Sequence, residues 1–374
     1  MSRIRAIQYH AVVFDADANG GPGVAKMELD ADMLNLVWQQ GLNFPGQAAF
    51  SLTRWNPKIA SIQWMIDHIK IYRETAAGTK VVFAGKIIKP SYTARDLLVT
   101  CWDYASFLQR SRTGFRILYP NKLIGSEVVG PEWALAVAAD KSPFAFVATG
   151  TIQDPLGLDG STPIKTNSEF GVMDFDRLFL FYSMAELSMA NTDNTVVYEI
   201  TRETPHTFNF WKNRSTIRTN YSFSDGALID YDYSGNQDLI VNDIATVILD
   251  PTTGQQVEYA LASTSSKDTY RRLQTAVTIK TLFGLNSGTT ESDQQKAALA
   301  RMLKVSEVPP KLIVAFPRQG EFDPFVDCDL GDTFRASIRN AARTADELDA
   351  YMKWVGVAAA WTPEAGELIQ VFLR

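Results

Sequence analysis

The stretch VDCDLGDTFRASI, residues 326–338, gathers the side chains best suited to chemistry. Asp327, Asp329 and Asp332 fall within six positions, Asp323 stands just before them, and Cys328 lies between. Acids so spaced could ligate a divalent cation, given a further His, Asp or Glu from elsewhere. The plainer reading makes Leu330-Gly331-Asp332 a turn into a strand, with the Asp carboxylate accepting backbone amides. Asp230 and Asp232 alternate with Tyr231 and Tyr233, so both carboxylates point to one side of a strand. Paired carboxylates can cleave glycosides, but a solvent face opposite an aromatic face explains the spacing too. Asp174 and Asp176 read as a DxD pair or, more simply, as a helix start with Asp176 as cap. His10, His68 and His206 stand in separate strand-like stretches, and no HExxH or GxSxG occurs. Cys101 and Cys328 are far apart and read as two buried thiols in a reducing compartment. NGGPG (19–23) lacks the spacing of a phosphate loop. These residues imply no catalytic site, no cofactor and no metal, and the expectation is a protein that is not an enzyme.

The elements that would position these residues are mostly strands. The 374 residues give room for two to four compact units, and 46% hydrophobic residues suffice for a sizeable core. A net charge of −6 argues against a basic nucleic-acid face, and does not exclude a protein that DNA slides past. No apolar run nears the roughly 20 residues of a membrane span. The N-terminus lacks the apolar core of a signal peptide, so synthesis in the cytoplasm is expected. IQYHAVVF (7–14), AAFSLTR (48–54), HIKIYRE (68–74), VVFAGKII (81–88) and LLVTCWD (97–103) read as strands, and WDYASFLQRS (102–111) as a short helix. Residues 114–170 read as loop-rich, and 176–189 as an apolar-faced helix. TVVYEIT, FNFWKN, TIRTNYSF, ALIDYDYSG, IATVIL and VEYALAS follow as strands, then a helix over 291–307 stopped by Pro309-Pro310.

An internal repeat is the most informative feature. Residues 67–103 and 332–374 each open on an Asp, Asp67 or Asp332, and continue as strand, polar loop and strand-plus-glycine. Phe83 and Trp354 each lie two before a glycine, Gly85 or Gly356, and Leu97 and Leu368 each lie twelve beyond it. An acid, Asp96 or Glu367, precedes each of these leucines. The reading is two versions of one small β-barrel. The expected fold is α+β, mainly β: a first tube-type barrel over 1–115, peripheral α+β structure over 116–235, and a second barrel over 236–374 with an inserted helical segment near 285–307.

At these residues the chain resembles the baseplate hub, or tail-hub, proteins of tailed bacteriophages. FSLTRWNP, HIKIYRE, VVFAGKI and LLVTCWDYASFLQR are similar to the family's opening barrel. STSSKDTYRRLQ, ESDQQKAALARMLK and LGDTFRASI follow in a similar order. The likeness is to the minor tail proteins of long-tailed phages more than to hubs carrying a lysozyme domain, and VFLR is the expected last strand of the second barrel. The resemblance implies a homotrimer whose six barrels form a pseudo-sixfold ring in the virion tail tip, assembled in the host cytoplasm. Its implied partners are the distal tail ring, the tape measure protein and receptor-binding tip proteins, with DNA passing through the lumen unbound. Two alternatives stand beside it. One is a receptor- or carbohydrate-binding tail protein, suggested by the abundant aromatics and the pairs Asp230/Asp232 and Asp327/Asp329. The other is a distal tail ring protein, against which the duplication speaks.

Overall fold

The computed structural model describes residues 7–109, 146–152, 197–211, 216–235, 240–249, 255–277, 311–318, 328–339 and 346–374, with 253, 296, 299–300, 302–304, 306–307 and 323. Asp174, Asp176 and Asp327, the loop-rich stretch and the expected 176–189 helix lie outside or almost wholly outside these residues. The first seven strands are β1 (Gln8–Ala16), β2 (Pro22–Glu28), β3 (Met33–Gly41), β4 (Phe44–Thr53), β5 (His68–Thr75), β6 (Gly78–Tyr92) and β7 (Asp96–Asp103). Then come β8 (Ala148–Ile152), β9 (Val197–Ile200), β10 (Thr207–Trp211), β11 (Ile217–Ser224), β12 (Leu228–Gly235), β13 (Asp243–Leu249) and β14 (Gln256–Ala262). Helix α1 (Thr264–Tyr270) precedes β15 (Gln274–Ala276), β16 (Lys311–Pro317), β17 (Thr333–Arg339), β18 (Asp346–Thr362) and β19 (Gly366–Leu373).

The chain is mainly β, and one sheet carries most of it. Its order is β12-β16-β19-β18-β3-β4-β7-β6-β5-β1-β2, with β17 paired to β18 and β11 to β17. Alternating side chains bury one face of these strands. Leu97, Val99 and Cys101 on β7 are fully buried, while Leu98 between them is 37% exposed. A continuous core runs through both ends of the chain, with Trp38, Phe50, Phe223, Phe334 and Trp354 among its largest members. Each such side chain contributes about 1.5–3 kcal/mol of burial.

Several expectations are corrected. Residues 217–235, expected in the peripheral segment, are β11 and β12 of the large sheet. Residues 243–276, expected in the second barrel, form a separate sheet of order β14-β13-β15, with α1 between β14 and β15. The described residues from 296 to 306 are helical, and Ser306 Oγ donates to the Val241 carbonyl beside that sheet at 2.9 Å. The short helix expected at 102–111 is a 3-10 turn over Tyr104–Gln109, because Trp102 and Asp103 remain in β7. Strands β2 and β3 were not among those read from sequence.

A third sheet, β8-β10-β9, leans on the first strands through an aromatic cluster. Tyr104 lies edge-on to Phe146 and to His206, with ring centroids 5.0 and 4.8 Å apart. The Nδ1 of His68 is 3.0 Å from the Tyr104 hydroxyl, and the Nδ1 of His206 is 2.7 Å from the Thr201 carbonyl oxygen. Neither Nε2 has a hydrogen-bond partner among the described residues. Burial pushes His68 down to about 3 and also lowers His206. Both rings therefore fold neutral and bind protons more readily when unfolded, so stability is full above pH 6.5 and falls as pH drops below it. Urea unfolding should show His68 losing about 2 kcal/mol between pH 6.5 and 5. The variant His68→Phe should show a flatter pH slope by that amount. An equal slope in the two proteins would overturn this assignment.

Candidate functional site

The site with the densest polar chemistry is the junction between the two halves of the large sheet. It is built from two copies of one device. In the first half, the chain turns before Asp67, whose side chain is fully buried. Its carboxylate accepts from the Gln63 amide at 2.8 Å and pairs with Lys26 Nζ on β2 at 2.9 Å. Met65, at φ 67, donates its amide to the Ile87 carbonyl at 2.8 Å, and the Ile87 amide donates back to the Asp67 carbonyl at 3.0 Å. In the second half, Asp332 accepts from the Asp329 amide at 3.0 Å and pairs with Arg218 Nε on β11 at 2.7 Å. Gly331, at φ 100, donates to the Trp354 carbonyl at 2.9 Å, and the Trp354 amide donates to the Asp332 carbonyl at 2.7 Å. Asp67 and Asp332 thus hold corresponding turns, each paired with one cation, from β2 or β11.

Beyond these turns the ladders agree rung for rung. β6 pairs with β5 up to Lys86, and β18 with β17 up to Lys353. Each long strand then carries a bulge against the strand that follows it, between Ile87 and Lys89 or between Trp354 and Gly356. Ile87 sits opposite Cys101, and Trp354 opposite Leu373. The correspondence continues outward. β4 and β16 flank β7 and β19, and β3 and β12 flank these in turn. β3 is bulged between Met33 and Asn35, and β12 between Leu228 and Asp230, with the bulged Leu34 and Ile229 both exposed.

This register corrects three of the four expected repeat pairs. Trp354 corresponds to Ile87 and not to Phe83, which pairs with Ile71 four rungs earlier. Gly85 lies before its bulge, where a Cβ would come within 2.0 Å of the Trp102 carbonyl oxygen. Gly356 lies after its bulge, 3.3 Å from the Gln40 oxygen by the same measure. Leu97 corresponds to Ile369. Leu368 is one residue off, and a one-residue slip turns a side chain to the other face: Leu97 is fully buried and Leu368 is 45% exposed.

The two halves meet where β3 runs antiparallel to the outer half of β18, from Gly41↔Gly356 to Leu36↔Trp361. A buried ion pair clasps this seam. Arg73 on β5 donates from Nε and NH2 to the two carboxylate oxygens of Glu367 on β19, at 2.7 and 2.8 Å. Its NH1 reaches Asp323 at 2.8 Å, which gives one acid of the opening cluster a partner across the chain. Tyr9 donates its hydroxyl to Glu367 and receives the Trp38 indole N–H at 3.3 Å. Burial and the Glu367 charge raise Tyr9 well above the usual phenol range. Glu367 was noted in sequence only as an acid before a leucine. Arg73, Lys26, Arg218 and Tyr9 carried no motif at all.

The other flagged residues lie apart from the seam. Asp230 and Asp232 are exposed on β12, His10 bridges Asp30 and Glu74 at 2.8 Å each, and Cys101 is buried. Cys328 is half-buried, packed against the core. Among the described residues, none are grouped as three or more His, Cys, Asp or Glu able to hold a metal ion.

No known family model matches the sequence, and no curated protein does. Solved structures do match its fold. A tail protein from Neisseria meningitidis MC58 aligns over 98% of this chain and 96% of its own, at 11% identity and a TM-score of 0.60. The 43 kDa tail protein of prophage MuSo2 from Shewanella oneidensis aligns over 98% of both chains, at 10% identity and a TM-score of 0.57. A chain of the Francisella PdpA-VgrG complex aligns over 99% of this chain and 58% of its own, at 8% identity and a TM-score of 0.58. The fold is therefore that of phage tail proteins.

Arg73 and Glu367 are both nearly inaccessible, so removing one partner strands a buried charge. Arg73→Met is expected to lower the unfolding free energy by about 3–5 kcal/mol, and Arg73→Met with Glu367→Met to recover most of that loss. Denaturant titration of the three proteins measures both. Equal destabilisation in the single and double variants would show that the pair does not act as a unit.

Proposed function

We propose that this protein is a structural component of a phage-type tail, a homotrimeric hub ring that carries no catalytic centre. Two corresponding sheet units stand in one chain, so three chains supply six. Such a ring matches a sixfold tail tube or distal tail ring on one side and a threefold tip on the other. The single observation that carries this reading is the shared register of the two halves: the same Asp-led turn, the same end of the first pairing at Lys86 or Lys353, and the same bulge. The whole-length likeness to two tail proteins, at TM-scores of 0.60 and 0.57, supports the tail context. The likeness to a chain of a PdpA-VgrG complex supports association with other tail or spike proteins.

The acids suggested as a glycan-cleaving set do not favour the carbohydrate reading. Asp230 and Asp232 lie exposed on β12, Asp329 gives its backbone amide to Asp332, and Asp327 lies outside the described residues. In the proposed ring, DNA and tape measure pass through the lumen without specific binding, and the net charge of −6 is compatible with that. The test is native mass over a concentration series. One chain is 41.6 kDa, and the expected particle is about three times that. A stable hexamer would instead favour the distal tail ring. A protein that stays monomeric at every concentration, alone and with extracts of assembling tails, would overturn the trimeric hub.

A further inference from the structure

The seam inside the chain shows what each half does with its two unfinished edges. On β18, Lys353 has Thr333 of β17 on one side and Arg374 on the other. Past the bulge, residues 356–361 have β19 on one side and β3 on the other. The edge that β17 leaves is therefore taken by β3. In the first half, Gly85 and Lys86 have β5 on one side and β7 on the other. Past Ile87 the β5 edge carries no further strand among the described residues. Nor, among the described residues, does β12, the counterpart of β3, carry a second strand beyond β16. Among the described residues, one copy of each edge that the seam joins is thus left without a second strand.

We infer that these two edges bind each other between copies of this chain: β12 of one copy adds to Lys89–Tyr92 on β6 of the next, repeating the β3·β18 seam. This rests on the hub reading, and names the surface by which the ring closes. The contact is heterologous, so a fixed rotation at each step closes a ring. Three seams within chains would then alternate with three between them.

The internal seam dictates the register. Gln40↔Val357, Gln39↔Ala358 and Trp38↔Ala359 translate to Gly235↔Pro90, Ser234↔Ser91 and Tyr233↔Tyr92. Pro90 has no N–H to offer, so this ladder is shorter than its template. Charge supports its end. Asp230 and Asp232 are exposed on β12, and in this register Asp230 falls on the rung of Arg95, which is exposed in the turn after β6. Tyr92, 58% exposed, and Ile229, 62% exposed, would gain cover at the same contact. A partner strand would also satisfy edge amides and carbonyls that otherwise template indiscriminate pairing.

The experiment uses the full chain with Cys328→Ser, Ser91→Cys and Ser234→Cys, assembled and then oxidised or treated with a short bis-maleimide. Directly opposed residues in antiparallel strands bring Cα atoms within about 4.5–5.5 Å, in reach of a disulfide. The expected result is covalent dimers and trimers on a non-reducing gel. Mixing the two single-cysteine variants should give dimers only. As a second readout, Arg95→Glu should weaken assembly about fivefold per interface, and adding Asp230→Lys should restore it. A native trimer that yields no 91–234 cross-link and ignores Arg95→Glu overturns the edge assignment and leaves the hub reading standing. A protein that never trimerises overturns both.

Discussion

A strand that changes neighbours half way along cannot leave the vacated edge bare, because unpaired amides and carbonyls template further pairing. β18 meets this constraint at the bulge between Trp354 and Gly356, where β17 ends and β3 takes over the same edge. Most of the architecture follows from that exchange. It makes one continuous sheet from the two ends of the chain, it merges their cores, and it sets Glu367 of β19 against Arg73 of β5. The bulge matters because it re-aims the strand. β3 pairs with β4 along one edge and accepts β18 along the other.

The two buried aspartates show how a turn can look like an active site. Asp332 and Asp67 are burdened with backbone amides and a cation each, and that occupancy is structural. A carboxylate that accepts amides and one charged donor loses little by burial, because its lone pairs are satisfied. In sequence the same acids cluster with others that serve different ends. Asp323 reaches Arg73 across the chain, whereas Asp329 contributes its backbone amide to Asp332. Spacing alone could not separate these uses, since the cations come from residues 73, 26 and 218.

The fold class was legible because alternation is local. β7, β17 and β19 show it plainly, and β5 and β17 each begin after an Asp-led turn. The repeat was legible in its opening and lost in its register. Glycines and leucines were matched by sequence distance, but the β5–β6 hairpin closes at Thr75↔Gly78 while β17 and β18 are joined over more residues, from Arg339 to Asp346. Unequal loops and a bulge of one residue are enough to shift equivalent positions. β3 escaped notice because its bulge at Leu34 breaks the period of two, leaving two exposed residues in succession. The second half's boundary was misplaced for a related reason. β11 and β12 are separated from the rest of their sheet by the insertion carrying β13 to β15, and no sequence period signals that long-range pairing.

The internal seam and the proposed seam between copies face different demands, and their side chains differ accordingly. β3 and β18 are joined as the chain folds, so the seam never needs to exist apart in water. It can use Trp38, Trp361 and a buried Arg73–Glu367 pair, whose desolvation is offset by geometry and by the Tyr9 bond. A surface that must stay soluble before assembly cannot expose such a set. The proposed seam holds Asp230, Asp232, Ser91 and Lys89, which water solvates well, where the internal one has Asn35, Val37, Ala358 and Gly356; charge of opposite sign can still guide two copies into register. In the proposed ring, the same backbone arrangement would carry an apolar, permanent seam where the chain is continuous and a polar one where it is not. That difference is what a ring built from a duplicated chain requires.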